Sequence, residues 1–331
     1  MDLSDHPILV SIITGTYNSM AYLKGLIESI NSQTFSSWEM IFIDDGSSDG
    51  TPEFLKSYCA ENPNFKLIVK QPEGSPAKSR ILGIAAAKGK YLAFCDHDDF
   101  WTPDKLQIQM DVFAAHPEAS IVHTQRKLWY ASERPETLPR FKAVSSDFEI
   151  QSAYKVLYTG PKILFSSFIT TKELMDRVGG LHPSLRGIDD YHIFLKLSEV
   201  GTIVRVNLPL TYYYEHDNNL SRVENIFVDG YFKVLEVLKE ENASSKLIKV
   251  VSAHAFKSKG VTYLRGEPSK SLALFTKSLF SFFLPRTFVL FCLSLFLLVS
   301  PKFLRDKLVG RLMHIKATTP TLEDYVMRTS G

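Results

Sequence analysis

"YLAFCDHDDFWTPDKL", Tyr91 to Leu106, decides how the rest of the chain is read. Tyr91 to Cys95 form a short apolar run, with Lys88-Gly89-Lys90 before it and charge after it, which predicts a buried strand. That strand ends in Asp96, His97, Asp98 and Asp99. Carboxylates held this close repel one another and resist burial unless a cation or a substrate lies among them. A polar turn capping the next helix is one explanation, because Thr102-Pro103-Asp104 reads as an N-cap followed by Pro at the first helical position. It leaves the carboxylates before it unexplained. A calcium loop needs a turn glycine and a distal Glu, and Phe100-Trp101 stands where the glycine should be. An oxygen-rich site for Mg or Mn, completed by the oxygens of a bound diphosphate, is the third explanation.

Upstream, Leu9 to Thr14 is a β-rich run ending in Gly15-Thr16-Tyr17-Asn18, and Leu23, Leu26, Ile27 and Ile30 then mark one face of a helix. Trp38 to Ile43 is a second strand ending in Asp44-Asp45-Gly46, Thr51-Pro52 opens a helix, Phe65 to Val69 is a third strand, and Ser75 to Lys88 is helical. Strands alternating with helices predict an α/β domain with a largely parallel sheet. Ligands of such sheets gather outside the carboxyl ends of the strands, so Tyr17, Asp45 and Asp98 are placed to share one crevice. Downstream, Trp129 to Lys162 reads as irregular and Phe165 to Thr170 as a strand. Lys172 to Val178 reads as a short helix, and "GIDDYHIFLKLSEVG" (Gly187 to Gly201) as a helix whose dipole tolerates the Asp189-Asp190 pair at its start. Two strands follow, near Val204 and at Tyr212 to Tyr214, and beyond Ser221 the pattern is helical.

A chain of 331 residues with 45% hydrophobic and 22% charged content is that of an ordinary globular protein. A net charge of +2 argues against a nucleic-acid binder. Cys59, Cys95 and Cys292 are scattered and form no CxxC pair, which points to a reducing compartment and neither a zinc site nor a disulfide framework. The acidic start, Met1 to Asp5, lacks the features of a signal peptide.

"VSIITGTYN", "IDDGSSDGT", "AKSRILGIAAAKGKYLAFCDHDD", "FITTKELMDRVGGLHPSLRGIDDYHIFLKL" and "YYYEHDNNLS" occur in the order seen in family 2 glycosyltransferases of the GT-A fold, and the chain resembles that family from Ile8 to about Ser221. The resemblance implies a Rossmann-like, mostly parallel sheet flanked by helices in a catalytic domain at 1–221, followed by a helical region at 222–331. It implies an inverting transfer of a hexosyl or N-acetylhexosaminyl group from a nucleoside-diphosphate sugar. Gly15, Tyr17, Asp45, Arg80 and Asp96 would then lie at the nucleotide. Tyr17 would offer a ring face to the base and Asp45 would accept hydrogen bonds from base or ribose. Packing of Tyr17 on the sheet and capping of the Gly46 turn by Asp45 are the plainer alternatives. Arg80 would meet phosphate or a uracil edge, unless it is a solvated helix-face residue. Asp98 and Asp96, with His216, would hold a Mg or Mn ion, although a surface-loop role for His216 stays open. Asp190 would be the base with Asp189 beside it, in place of the family's Glu-Asp pair, and His192 departs from the frequent Asp.

Two other functions fit parts of the pattern. The Asp-x-Asp element loosely matches haloacid-dehalogenase-like phosphotransferases, but it stands on the fourth strand and not the first. A degenerate nucleotide-binding scaffold is the non-enzymatic alternative. Thr287 to Ser300, "TFVLFCLSLFLLVS", is uncharged and shorter than the ~20 residues needed to span hydrocarbon. From Lys277 to Lys316 seven basic residues (Lys277, Arg286, Lys302, Arg305, Lys307, Arg311, Lys316) face one acid, Asp306. Together these predict a peripheral or monotopic anchor, at about 277–316, on the cytoplasmic face of the inner membrane, and from it a lipid-linked glycan acceptor. A buried hairpin is the alternative, and a homo-oligomer is compatible with either.

Overall fold

The computed structural model describes residues 8–130, 137–151, 163–216, 219, 226–263, 267–283 and 285–299. The chain divides into two compact units, residues 1–237 and 238–331. The sequence-predicted boundary, Ser221, lies outside the described residues, and the observed division falls inside the helix Ile226–Glu240.

The first unit opens with β1 (Val10–Thr16), α1 (Met20–Asn31), β2 (Trp38–Asp44), α2 (Thr51–Glu61), β3 (Phe65–Val69), α3 (Pro76–Ala86) and β4 (Tyr91–Phe94), the alternation expected from the sequence. It continues with β5 (Phe100–Trp101), α4 (Lys105–Ala115), β6 (Ala119–Trp129), β7 (Phe148–Gln151), β8 (Phe168–Thr171), α5 (Lys172–Arg177), α6 (Asp189–Ser198), β9 (Thr202–Tyr214) and α7 (Ile226–Glu240). One sheet takes the strands in the order β3-β2-β1-β4-β8-β6-β9-β5, with β7 on β9.

Only the first half of that sheet is uniformly parallel, through the β2–β3, β1–β2 and β1–β4 pairs. β8 runs antiparallel to β4 and β6, β5 and β7 run antiparallel to β9, and β6 and β9 are parallel. The sheet is therefore mixed, where the sequence reading had it largely parallel. The reason is local. The short 3₁₀ turn Phe165–Ser167 sits at the carboxyl end of β4, where the Asp96 amide donates to Ser166 Oγ at 3.0 Å. A strand that starts there can only run back the other way.

Alternation along the buried strands supplies both faces of the core. Ile12, Met40, Phe42 and Ala93 join Leu23, Leu26 and Ile30 of α1 and Leu106 and Phe113 of α4 on one side. Ile13, Ile41, Ile43 and Phe94 join Ile84 of α3, Met175 of α5 and Phe194 and Leu197 of α6 on the other. Gly83 lets α3 lie against the sheet: a Cβ there would stand 2.4 Å from Ile13 Cγ2 and 2.8 Å from Ile43 Cδ1.

Three further expectations are corrected. The helix after the aspartates begins at Lys105 and not at Pro103, and no side-chain hydrogen bond caps it. The region read as irregular holds the end of β6 and all of β7. The two late strands are one, β9, with Pro209 facing Gln125 where the β6 register slips. Proline has no N–H to give the ladder, so the irregularity falls there.

In the second unit, α8 (Ser245–Tyr263), α9 (Pro268–Ser281) and α10 (Pro285–Val299) pack in series. Their contacts combine an apolar cluster around Phe275 and Leu297 with buried hydroxyl residues. Ser271 Oγ donates to Gly260 O at 2.8 Å and lies 3.3 Å from Ser294 Oγ, and Ser278 Oγ donates to Ala253 O at 2.7 Å. Ser271, Ser278, Thr287 and Ser294 are buried along with Phe275 and Leu297, whereas Phe280 (89% exposed), Phe283, Phe288, Val289, Leu295 and Phe296 face outward. Among the described residues no helix is long and apolar enough to cross a membrane.

Candidate active site

The carboxyl ends of β1, β2 and β4 open onto one edge of the sheet. At the end of β1, Thr16 Oγ1 donates to Asp44 Oδ2 at 3.0 Å, and Ser47 donates through its amide (2.9 Å) and hydroxyl (2.6 Å) to the same carboxylate. Fully buried Asp44 is thus consumed in joining β1 to the turn after β2. Asp45, next to it, accepts the amides of Glu73 at 2.9 Å and Gly74 at 2.8 Å and pairs with Lys70. It holds the 70–74 loop over the edge of the sheet. Tyr17 is 56% exposed at the same edge, and a Cβ on Gly15 would lie 3.4 Å from Ser79 Cβ of α3.

Arg80 of α3 was expected to face a nucleotide, either at phosphate or at a base edge. In this structure it bridges two carboxylates instead. Nη1 donates to Asp189 Oδ2 at 2.8 Å, Nη2 donates to Asp96 Oδ1 at 2.6 Å, and the guanidinium lies over the Phe165 ring at 4.0 Å. Its side chain is only 11% exposed. Burial works against its charge, but Asp96 and Asp189 raise its pKa above the ordinary arginine value. The planar fork suits the role, since each end meets a different acid.

Asp190 follows Asp189 in the first turn of α6. It is half-buried, and Oδ1 accepts its neighbour's amide, that of Tyr191, at 2.6 Å. Burial first, and the Asp189 charge second, push its carboxyl up to about 7. Asp189 is also raised by burial, with the Arg80 charge pulling against that shift. The two acids are therefore unequal: Asp189 is tied to a cation and Asp190 is poised near neutrality. Tyr231 of α7 has its hydroxyl pKa raised by burial and, second, by the Asp190 charge.

The Asp-rich turn after β4 separates its members. Asp98 Oδ2 lies 2.9 Å from His216 Nε2, and the His216 ring stacks on Tyr22 of α1 with centroids 5.5 Å apart. Burial alone would raise the Asp98 carboxyl, but the His216 hydrogen bond and the nearby His97 hold it below its ordinary value. Asp99 is fully buried and accepts the Tyr214 amide at 3.2 Å, while its Oδ2 has no hydrogen-bond partner among the described residues. Burial, then Asp98 and Asp96, push Asp99 well above the usual carboxylate range.

Residues 11–168 match the profile of glycosyl transferase family 2. That segment, a little under half of the chain, belongs to the family. The chain is 29% identical over 210 residues to an uncharacterized glycosyltransferase of Haemophilus influenzae, covering 62% of this chain and 67% of the relative. It is 36% identical over 103 residues to the putative teichuronic acid biosynthesis glycosyltransferase TuaG of Bacillus subtilis, covering 31% of this chain and 41% of TuaG. A 27% identical match to the chondroitin synthase of Escherichia coli covers 69% of this chain and 32% of the synthase. The chain thus spans less than half the length of the last two. In fold it is similar to TarS 1-349 of S. aureus in complex with UDP-GlcNAc, with a TM-score of 0.62 at 19% identity over 85% of this chain and 83% of that one. The mannosyltransferase PcManGT of Pyrobaculum calidifontis gives a TM-score of 0.58 at 17% identity, covering 94% and 86%. These likenesses establish a GT-A-like α/β fold, and they disfavour the phosphotransferase alternative.

The donor chemistry of the Asp-rich turn bears on whether an ion could be held there. Among the described residues no three His, Cys, Asp or Glu side chains converge as a metal cage. Asp96 gives Oδ1 to Arg80, which leaves Asp98 and His216 as neighbours. That pair, with the orphaned Asp99 oxygen beneath it, fits a Mg or Mn ion whose remaining ligands come from a diphosphate, because such ions use one or two protein groups plus substrate phosphates. Sequence reasoning missed Tyr22, Phe165, Ser166 and Tyr214, which frame the site from three different elements. Nothing local marks them. It also missed Lys105, a fully buried lysine that donates to Gln109 Oε1 at 2.6 Å and lies over the Trp101 ring, with burial pulling its ammonium to about 7.

Arg80→Met leaves Asp189 buried without its cation and is expected to cost about 3–5 kcal/mol. Adding Asp189→Asn should recover a large part of that loss. Chemical denaturation of the two single variants and the double variant measures the coupling, and additive losses would show that the pair is not interacting.

Proposed function

We propose that this chain is an inverting glycosyltransferase that moves a hexosyl or N-acetylhexosaminyl group from a nucleoside-diphosphate sugar to a glycan hydroxyl in polysaccharide synthesis. One observation carries the reading: a half-buried Asp190, its carboxyl near 7, opens a helix beside an Arg80-bound acid in a family 2 fold. A base with that pKa is matched to deprotonating an alcohol near neutral pH. In the reaction Asp190 takes the acceptor proton, the alkoxide oxygen bonds to the anomeric carbon from the face opposite the leaving group, and the bond from that carbon to the diphosphate oxygen breaks. Asp190 ends protonated and the diphosphate takes the electron pair. Asp98 and His216 would hold a divalent cation, which when bound supplies positive charge against the leaving diphosphate.

Exposed Tyr17 offers a ring face to the base. Asp45 serves base or ribose by exchanging a hydrogen bond it now shares with the Glu73 and Gly74 amides, so donor entry and the 70–74 loop are coupled. Relatives named for teichuronic acid biosynthesis and chondroitin synthesis, and neighbours bound to UDP-GlcNAc or to GDP-Man and Mn2+, support a nucleotide-sugar donor and a polysaccharide product.

Transfer should rise with pH through an acidic limb near 7, because Asp190 acts only when ionised. Asp190→Asn should lower turnover by about 10²–10⁴-fold without loss of donor affinity. Excess chelator should stop transfer, and Asp98→Ala should lose metal-dependent nucleotide binding. Normal turnover in Asp190→Asn would move the base elsewhere, and full activity in chelator would remove the metal.

We further propose that the second unit seats the protein on the cytoplasmic face of the inner membrane as a peripheral or monotopic anchor, which supports a lipid-linked acceptor. Buried hydroxyls with exposed Phe288, Val289, Leu295 and Phe296 are the packing expected where the surroundings are apolar. Lys302, Arg305, Lys307 and Arg311, outside the described residues, would add roughly 1 kcal/mol each at an anionic surface. Co-sedimentation with phosphatidylcholine vesicles, with and without phosphatidylglycerol, should show binding that salt weakens and that Phe288→Gln with Phe296→Gln abolishes. Undiminished binding by that variant would discard the anchor.

A further inference from the structure

We propose that Tyr231 of α7 is a positioning residue for Asp190: its ring closes over the first turn of α6 and shields the carboxyl from water. The inference rests on the reading of Asp190 as the base, and the test below separates the two. Tyr231 lies within the first unit, and α7 begins beyond the residues 11–168 that match the family profile. The cover is a feature of this chain that the family match does not supply.

The two helices meet on either side of the acid pair. Ile188, the residue before Asp189, packs on α7 where Gly230 stands. A Cβ on Gly230 would lie 3.0 Å from Ile188 Cδ1 and Cγ2 and 3.2 Å from its Cβ, so the close approach depends on glycine. Tyr191, the residue after Asp190, meets the Tyr231 ring edge to face, with centroids 5.4 Å apart and planes at 84°. Aromatic pairs favour that arrangement. Tyr191 and Tyr231 are both buried. Gly230 and Tyr231 thus hold the chain just before and just after Asp189-Asp190, and the Tyr231 hydroxyl is close enough to feel the Asp190 charge.

Burial is the first reason the Asp190 carboxyl stands near 7 and the Asp189 charge the second, with Asp96 adding to them and Arg80 opposing. Asp189, Asp96 and Arg80 are charged, and charged groups keep water or hydrogen bonds about them. They bring polarity to the place, not dryness. The Tyr231 ring excludes water without adding a charge, which is what raises a carboxyl by burial. Its own hydroxyl is raised by burial and then by Asp190, so it stays protonated through the range in which Asp190 ionises. Tyr231 therefore does not compete for the acceptor proton. It sets the surroundings of the group that takes it.

The test reads Asp190 itself in the full-length chain, with no donor or acceptor present. A water-soluble carbodiimide couples glycinamide to protonated carboxyls, and fragmentation mass spectrometry quantifies the product at Asp190 apart from Asp189. In the native protein labelling should fall with a midpoint near 7. Tyr231→Ala admits water, so its midpoint should drop by about one pH unit or more toward the ordinary carboxylate range. Tyr231→Phe keeps the ring and should leave the midpoint nearly in place. Gly230→Ala sets a methyl against Ile188, displaces α7 and should move the midpoint in the same direction as Tyr231→Ala, which reads the same contact through a second variant. A loss of stability alone would move none of these midpoints. A native midpoint in the ordinary carboxylate range overturns the cover, and so does a midpoint left unmoved by Gly230→Ala or Tyr231→Ala. A Tyr231→Phe midpoint as low as that of Tyr231→Ala overturns the role of the ring. Turnover retained by Asp190→Asn would remove Asp190 as the base and leave the labelling result standing.

Discussion

The structure of the site depends on one cation held between two acids. Arg80 reaches Asp96 at the end of β4 and Asp189 at the start of α6, residues far apart in the chain, and it does so from α3. Without it, Asp189 would be buried with no cation beside it, and burial would drive it toward its neutral form. With it, Asp189 has a cationic partner, whereas among the described residues Asp190 forms no ion pair. The difference between these adjacent aspartates is therefore made by a residue that is not itself expected to take part in proton transfer.

The mixed sheet makes that arrangement possible. A wholly parallel continuation would have carried the chain after β6 through a further crossover, away from the end of β4. Instead Phe165 to Ser167 arrive at that end before β8 departs antiparallel. Phe165 then lies under the Arg80 guanidinium, Ser166 Oγ receives the Asp96 amide, and Ser166 O receives the Trp101 indole at 2.8 Å. A short turn thus supports the acidic loop from below. Long β9 closes the other side by bringing Tyr214 and His216 against Asp98 and Asp99.

The sequence was informative wherever structure is local. β1 to β4 and the helices between them follow from apolar runs, Thr-Pro starts and glycine stops, because each is dictated by its own residues. The acids at strand ends were recognisable for the same reason. What was not legible depends on partners distant in the chain. β5 is only two residues long and exists because Phe100 and Trp101 pair with Tyr212 and Thr211. Asp44 and Asp45 look alike in sequence, but Asp44 is spent on Thr16 and Ser47 and Asp45 on Lys70 and the Glu73–Gly74 amides. Arg80 reads equally well as a phosphate ligand or a surface charge until the positions of Asp96 and Asp189 are known. Thr102 has every mark of an N-cap, yet its hydroxyl has no partner among the described residues.

The two units differ in how much large apolar surface they leave exposed. In the first, buried polar side chains such as Ser11, Glu39, Gln109 and Thr170 hydrogen-bond across the sheet and its helices within an otherwise apolar core. In the second, hydroxyls are buried between α8, α9 and α10 while aromatic and branched side chains of α10 point outward. In water that inversion has no driving force, because burying the phenylalanines and exposing the serines would remove more apolar area from solvent. Against lipid the balance reverses, since the large side chains lose nothing by facing hydrocarbon and the hydroxyls gain by bonding to backbone carbonyls of a neighbouring helix. Gly260 permits the closest part of that packing, since a Cβ there would stand 2.5 Å from the Phe275 ring. An apolar boundary would account for the side-chain pattern of these helices, and among the described residues none is long and apolar enough to cross a membrane.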